Sequence, residues 1–166
     1  MNKFHKISLE QYLKDKNCFG VTSEIEKEWE DIKIPCLATK NSAGHDFYAP
    51  FDFELLQNET IKIPTGIKVE LDEDKVLLIA PRSSLGFKYR LQLDNTIGVI
   101  DSDYYNNNDN EGHIFIKITN DSKEGKVLSL HEGTGFAQGI FFQFGITEDD
   151  EVEEVRNGGF GSTTKE

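Results

Sequence analysis

From Ile34 onward the sequence predicts an all-β barrel or sandwich, and three observations carry that reading. Apolar stretches of strand length recur at residues 61–71, 76–80, 91–100, 114–118, 127–130 and 136–144. Asn, Asp and Gly fill the gaps between them, and these residues reverse a chain at low steric cost. The length of 166 residues suits one domain able to bury a core of its own. Many short strands with regular turn signals mean a closed or two-layered β architecture.

Taken in order, residues 1–31 read differently from the rest. Ser8 is placed to cap a short helix over 9–15, with Glu10 in its first turn. Residues 23–31 form a second charged, helical stretch that carries Trp29, the one tryptophan. This extension is expected either to pack on the barrel or to meet a partner. The core is expected over 32–147. Within it, residues 61–71 alternate loosely between apolar and polar around Pro64-Thr65-Gly66, the signature of a bend or strand edge. The run Asn106-Asn107-Asn108-Asp109-Asn110 reads as a solvated hairpin tip. Residues 148–166 open with six acidic residues in seven, 148–154, a solvated connector. They end on a tail made conformationally permissive by Gly158, Gly159 and Gly161.

The net charge of −12 argues against unspecific binding to nucleic acid or anionic lipid. No run of about 18 apolar residues is present, so no transmembrane helix is expected. The N-terminus lacks the apolar stretch of a secretion signal, which points to the cytoplasm. Cys18 and Cys36 read as free thiols, and His5, His45, His113 and His131 are too scattered for a zinc site. Of the 18 basic residues three are arginines, Arg82, Arg90 and Arg156. A chain that otherwise uses lysine has kept the planar guanidinium fork for a few places where bidentate phosphate recognition could matter.

Chemistry concentrates on Asn95 and Gly98-Val99-Ile100-Asp101-Ser102-Asp103-Tyr104. A planar amide, a carboxylate and an aromatic ring lie on one strand-flanked segment. Those groups can hold a base, activate a water and stack against a sugar. Pro81-Arg82-Ser83-Ser84 offers a guanidinium, two hydroxyls and consecutive backbone donors near a strand end, well suited to phosphate oxygens or, equally, to opening a helix with Ser as its cap. Asp46, after Gly44, reads either as a site residue or as a carboxylate that stabilises a turn.

Together with 43–49 (Ala-Gly-His-Asp-Phe-Tyr-Ala), 81–86 (Pro-Arg-Ser-Ser-Leu-Gly), 135–138 (Gly-Phe-Ala-Gln) and 156–163 (Arg-Asn-Gly-Gly-Phe-Gly-Ser-Thr), this segment resembles, in order and spacing, the five motifs of the trimeric deoxyuridine triphosphatases (dUTPases). The resemblance runs from about residue 32 to the end. It implies a distorted jelly-roll barrel assembled as a homotrimer, splitting dUTP into dUMP and pyrophosphate with Mg2+. It further implies Asp101 as the base that activates water, and Arg82, Ser83, Ser84, Gly86 and Gln138 on the phosphates. Asn95, Gly98, Val99, Ile100 and the backbone of Phe115 would hold uracil, while Tyr104 would lie beneath the deoxyribose with no room for a 2′-hydroxyl. Arg156, Phe160, Gly161, Ser162 and Thr163 would close over the nucleotide from another subunit, and Asp46 is a further candidate. Mg2+ would be held by the substrate's phosphates and waters, without a direct protein ligand.

Departures from the family pattern accompany this. Thr134-Gly135-Phe136 stands where Asp/Glu-Arg-Ile is usual, and the Asn-rich insertion follows Tyr104-Tyr105. Two rival readings go with these motifs: a dCTP deaminase on the same barrel, and a regulatory trimer whose extension or insertion binds a protein partner.

Overall fold

The computed structural model describes residues 1–16 and 23–149. Cys18, the distal part of the acidic connector and the C-terminal arm lie outside the described residues. The chain opens with β1 (Lys3–Lys6), α1 (Leu9–Asp15) and α2 (Ser23–Asp31). The barrel strands follow as β2 (Cys36–Leu37), β3 (His45–Tyr48), β4 (Phe53–Leu55), β5 (Thr60–Pro64), β6 (Ile67–Glu70) and β7 (Lys75–Pro81). After the helix α3 (Ser83–Tyr89) come β8 (Leu91–Leu93), β9 (Gly98–Ile100) and a 3-10 turn over Ser102–Tyr104. The described chain closes with β10 (Phe115–Asn120), β11 (Leu128–Leu130) and β12 (Gly135–Gln143). The expected all-β class is the observed one.

The strands form a five-stranded sheet in the order β2-β3-β12-β7-β9, a three-stranded sheet β5-β10-β8, and the pairs β1-β6 and β11-β4. Every pairing is antiparallel. Alternation positions the core, since successive side chains of a strand point to opposite faces. On β10, Ile116 and Ile118 are buried while Lys117 faces out. With Ile63, Leu77, Ile79, Phe47 and Phe136 they build one apolar cluster. The bend expected at 64–66 separates β5 from β6. Gly66 adopts φ +70°, and a Cβ there would collide with Ile32 Cδ1, so no other residue fits the corner.

The first residues belong to the barrel. β1 pairs with β6 from Lys3 opposite Glu70 to Lys6 opposite Ile67. Ile7 and Tyr12 are fully buried in the core cluster, and Trp29 Nε1 donates to Ile7 O at 3.0 Å. Both helices occupy the residues the sequence indicates, and Ser8 caps α1 by accepting from Gln11 N at 3.1 Å. Among the described residues no helix is long and apolar enough to cross a membrane.

Two local expectations change. Residues 91–100 do not form one strand, because β8 pairs with β10 while β9 pairs with β7. Asp94-Asn95-Thr96 breaks the apolar run, with Thr96 in the left-handed region at φ 67°, and the chain crosses from one sheet to the other. The Asn-rich run is not simply a solvated tip either. Asn106 and Asn108 are exposed, whereas Asn107 and Asn110 are 8% and 6% exposed. Their amides satisfy turn backbone that water would otherwise have to reach.

Candidate active site

A polar cleft of about 500 Å³ opens where β3, β12 and the start of α3 meet. Gln138 lies opposite Asp46 on one side and Ala80 on the other, so strand pairing alone brings the first, second and fourth motifs together. Arg82, Ser83, Ser84, Gln138 and Asp46 all line it. The N-cap of α3 is Arg82, with no side-chain capping bond, which leaves the Ser83 and Ser84 hydroxyls uncommitted as caps. Both serines are exposed, and the first amides of a helix have no acceptor within it.

The guanidinium is held in place. Arg82 Nε stands 3.3 Å from Asp46 Oδ1, at 37% and 12% side-chain exposure, and its Nη1 donates to Gly135 O at 3.4 Å. A Cβ on Gly135 would sit 2.8 Å from Arg82 Nη1. Gly135, lacking a side chain, therefore leaves the space in which Arg82 lies. Gln138 Nε2 donates to Pro81 O at 3.2 Å, and its side chain packs on Gly44, where a Cβ would collide with Oε1. Nearby, Tyr48 Oη lies 3.1 Å from Cys36 Sγ. The thiol contact, followed by burial, pushes the phenol up to about 12. Gly86 lies on α3 and is not among the residues lining the cleft, though its N–H donates to Arg82 O at 3.0 Å.

A second, mostly apolar cavity of about 360 Å³ lies between β8, β9 and β10. Asn95, Gly98, Val99, Ile100 and Phe115 line it, as the sequence indicated. Gly98 packs so closely that a Cβ would be 3.1 Å from Ile79 Cβ. Sequence reasoning missed Lys62, Asp94 and Lys117, which also line the cavity. Lys62 Nζ lies 4.1 Å from the Phe115 ring centroid, and Lys117 Nζ pairs with Asp94 Oδ2 at 2.9 Å. Their signal is non-local: Lys117 faces Lys62 across the ladder, a pairing that no local pattern reveals.

Asp101 and Tyr104 stand just beyond this cavity. Asp101 is exposed and precedes the 3-10 turn, its carbonyl accepting from Tyr104 N at 3.2 Å. Tyr104 is 6% exposed and is not among the residues lining the cavity. Arg156, Phe160, Gly161, Ser162 and Thr163 lie outside the described residues.

Strand register separates the two clefts. Ile79 faces Gly98 and Leu77 faces Ile100, so Asp101 emerges beside Val76, at the start of β7. Arg82 follows Pro81 at the other end of the same strand. Six residues at about 3.3 Å each place them roughly 20 Å apart along the strand. Within one chain Asp101 and Arg82 therefore do not converge on a common point.

Among the described residues no group of three or more His, Cys, Asp or Glu converges on one point.

Comparison with known proteins places these clefts in a family. The dUTPase family model matches residues 30–164. The deoxyuridine 5′-triphosphate nucleotidohydrolase of Lactococcus lactis subsp. lactis is 42% identical over 134 residues, 80% of this chain and 88% of that protein. Its counterpart in Photorhabdus laumondii subsp. laumondii is 34% identical over 145 residues, 82% of this chain and 90% of that protein. Among solved structures, the dUTPase of Streptococcus mutans superposes with a TM-score of 0.66 at 31% identity, covering 87% of this chain and 98% of that one. A mutant dUTPase from phage phi11 of S. aureus, described with a structural Mg(II) ion, has a TM-score of 0.64 at 20% identity over 93% of this chain and 97% of that one. With the motifs in order along one barrel and a family match that spans most of the sequence, the chain belongs to the dUTPase family.

Proposed function

We propose that this chain carries out its family's hydrolysis of dUTP to dUMP and pyrophosphate at a site shared between protomers, with Asp101 as the base. The observation that carries the shared site is the separation of Asp101 from Arg82 at opposite ends of β7. Two half-sites that cannot meet within one chain meet when a second copy docks against the first. A closed ring of three copies accommodates that arrangement, since head-to-tail interfaces close into rings.

Uracil enters the cavity beside Gly98. Its acceptor-donor-acceptor edge meets backbone N–H and C=O groups of the 98–100 segment and of Phe115, with the Asn95 amide alongside. Cytosine leaves those groups mispaired and thymine adds a methyl that the cavity does not admit, the kind of mismatch that gives strong discrimination. Tyr104 lies beneath the deoxyribose. Arg82, Ser83, Ser84 and Gln138 of the neighbouring protomer take the phosphates, and Asp46 aims the guanidinium. The arm bearing Arg156, Phe160, Gly161, Ser162 and Thr163 closes the site and excludes water.

Asp101 accepts a proton from a water whose oxygen attacks the α-phosphorus, and the bond from that phosphorus to the α,β-bridging oxygen breaks. Pyrophosphate departs and dUMP keeps the new oxygen. Mg2+ bound together with the substrate would neutralise phosphate charge and so ease attack at the α-phosphorus. The Asn-rich turn, which motivated a protein-binding reading, turns the Asn107 and Asn110 side chains inward onto the fold.

The test is a panel of dUTP, dTTP, dCTP and UTP with Mg2+, scoring pyrophosphate and ammonia. Pyrophosphate from dUTP alone is expected. Asp101→Asn should keep nucleotide binding and lose about 10² to 10⁴ in kcat. Near-normal turnover in that variant removes Asp101 from the role.

A further inference from the structure

We infer that Asn110, braced by Asn107, is a positioning residue for Tyr104 and thereby for the rejection of ribonucleotides. The inference rests on the placement of Tyr104 beneath the deoxyribose.

The buried amides leave little freedom to that ring. Tyr104 Oη donates to His113 O at 2.8 Å and accepts from Asn110 Nδ2 at 2.8 Å. The Tyr104 carbonyl accepts from Asn107 Nδ2, also at 2.8 Å. Asn107 Nδ2 additionally reaches Asn110 Oδ1 at 2.9 Å, which takes Gly112 N at 3.1 Å as well. Asn107 Oδ1 receives the amides of Asp109 and Asn110 at 3.0 and 3.1 Å. Both side chains donate from the amide nitrogen and accept at the amide oxygen, which a carboxylate or a methyl cannot do. The loop closes at Gly112, φ +81°, where a Cβ would come within 2.6 Å of Tyr104 O.

The scaffold behind the ring is equally fixed. His113 Nδ1 bonds Asp15 of α1 at 2.6 Å, and its Nε2 accepts from Gly66 N at 2.8 Å. Glu111 takes Ser8 N at 3.1 Å and Lys68 Nζ at 3.0 Å. The insertion, the N-terminal segment and the β5–β6 corner thus converge on the turn that carries Tyr104.

Excluding one hydroxyl from a sugar pocket depends on a gap of less than a bond length. A ring held at both its hydroxyl and its backbone keeps that gap closed, whereas a ring tethered only by His113 O can tilt. Such loosening should admit UTP more than it slows dUTP.

The experiment measures kcat/KM for dUTP and UTP, with thermal midpoints, on wild type, Asn110→Ala, Asn110→Asp, Tyr104→Phe and the Asn110→Ala/Tyr104→Phe pair. Asn110→Asp keeps the shape but replaces the amide donor. Each single variant is expected to lower the dUTP:UTP ratio about tenfold to a hundredfold. The double variant should fall no further than the worse single, because both changes break the same bond. A ratio unchanged in Asn110→Ala while its midpoint drops overturns the inference and leaves a structural turn. If that variant does not fold, unchanged ratios in both Asn110→Asp and Tyr104→Phe overturn it instead. Wild type that does not prefer dUTP over UTP overturns the placement of Tyr104 itself, and the inference with it.

Discussion

Asp46 and Arg82 form an ion pair across the polar cleft, Nε to Oδ1 3.3 Å, with the carboxylate the more buried partner. Sequence left Asp46 open between site and turn, and the ion pair puts it on the wall of the polar cleft. If the cleft takes phosphates as proposed, a carboxylate there opposes the substrate, and its contribution lies in aiming the guanidinium. Asp46→Ala releases the fork to rotate. Steady-state kinetics should show kcat/KM for dUTP falling about tenfold to a hundredfold, with the uracil-over-cytosine ratio unchanged because the base cavity is separate. A shift in base selectivity would show that Asp46 reaches further than Arg82.

Gly135 sets the second expectation. It stands where the family usually has arginine, and Arg82 lies in the resulting space with Nη1 bonded to Gly135 O at 3.4 Å. Gly135→Ala puts a methyl 2.8 Å from that nitrogen, and the guanidinium must move away from Asp46. The loss in kcat/KM should match that of Asp46→Ala, and the two changes combined should be far less than additive. Full additivity would mean that the glycine acts elsewhere.

How much of this was legible in sequence follows from the range of each interaction. The helix over 9–15 and the bend at Gly66 rest on local patterns, and they stand where the residues indicated. β1 escaped notice because Lys3–Lys6 is short and polar, and its ladder with β6 spans more than sixty positions of chain. The split of residues 91–100 between two sheets is likewise a matter of partners, since the run itself reads as continuous. Asn107 and Asn110 were hidden by composition, because clustered asparagines favour a solvated turn and nothing local marks the two that face inward. Lys62 and Lys117 became visible as cavity residues only once β5 and β10 were paired.

Burial makes the N-terminal anchor sensitive to acid. His113 is fully buried, and its Nε2 accepts from Gly66 N while Nδ1 faces Asp15, so the ring is held neutral. Burial lowers its pKa below 6.5, with Lys62 adding to that and Asp15 and Glu111 opposing it. Burial alone would raise Asp15, but the hydrogen bond from His113, with the Gln11 amide nearby, outweighs it and holds the carboxyl below 3.8. Below pH 6.5 the unfolded chain binds a proton at His113 that the folded chain refuses. Stability should therefore fall as pH drops from 6.5 toward the folded value, by at most about 1.4 kcal/mol per unit. Below 3.8 the depressed Asp15 removes more. Urea midpoints between pH 8 and 5 should decline, and His113→Gln should be weaker at pH 8 with a flatter decline. An equally steep decline in that variant would assign the dependence to other groups.

Mixing inactive variants tests the shared site most directly. Asp101→Asn removes the base and Arg82→Ala removes the phosphate fork, so each homo-oligomer should be nearly inactive with dUTP. The two residues stand at opposite ends of β7. If a site takes Asp101 from one protomer and Arg82 from the next, co-refolded mixtures contain sites with both groups intact. Random assembly from equal amounts gives about a quarter of sites whole in a head-to-tail ring, with activity rising toward that share of wild type. Mixing without unfolding should restore nothing until subunits exchange, which makes the time course a second readout. If both groups had to come from one chain, every mixed site would lack one of them and activity would stay at the level of the parents. Recovery after co-refolding, with none from either variant refolded alone, is the result that places the reacting phosphorus between two copies of the barrel.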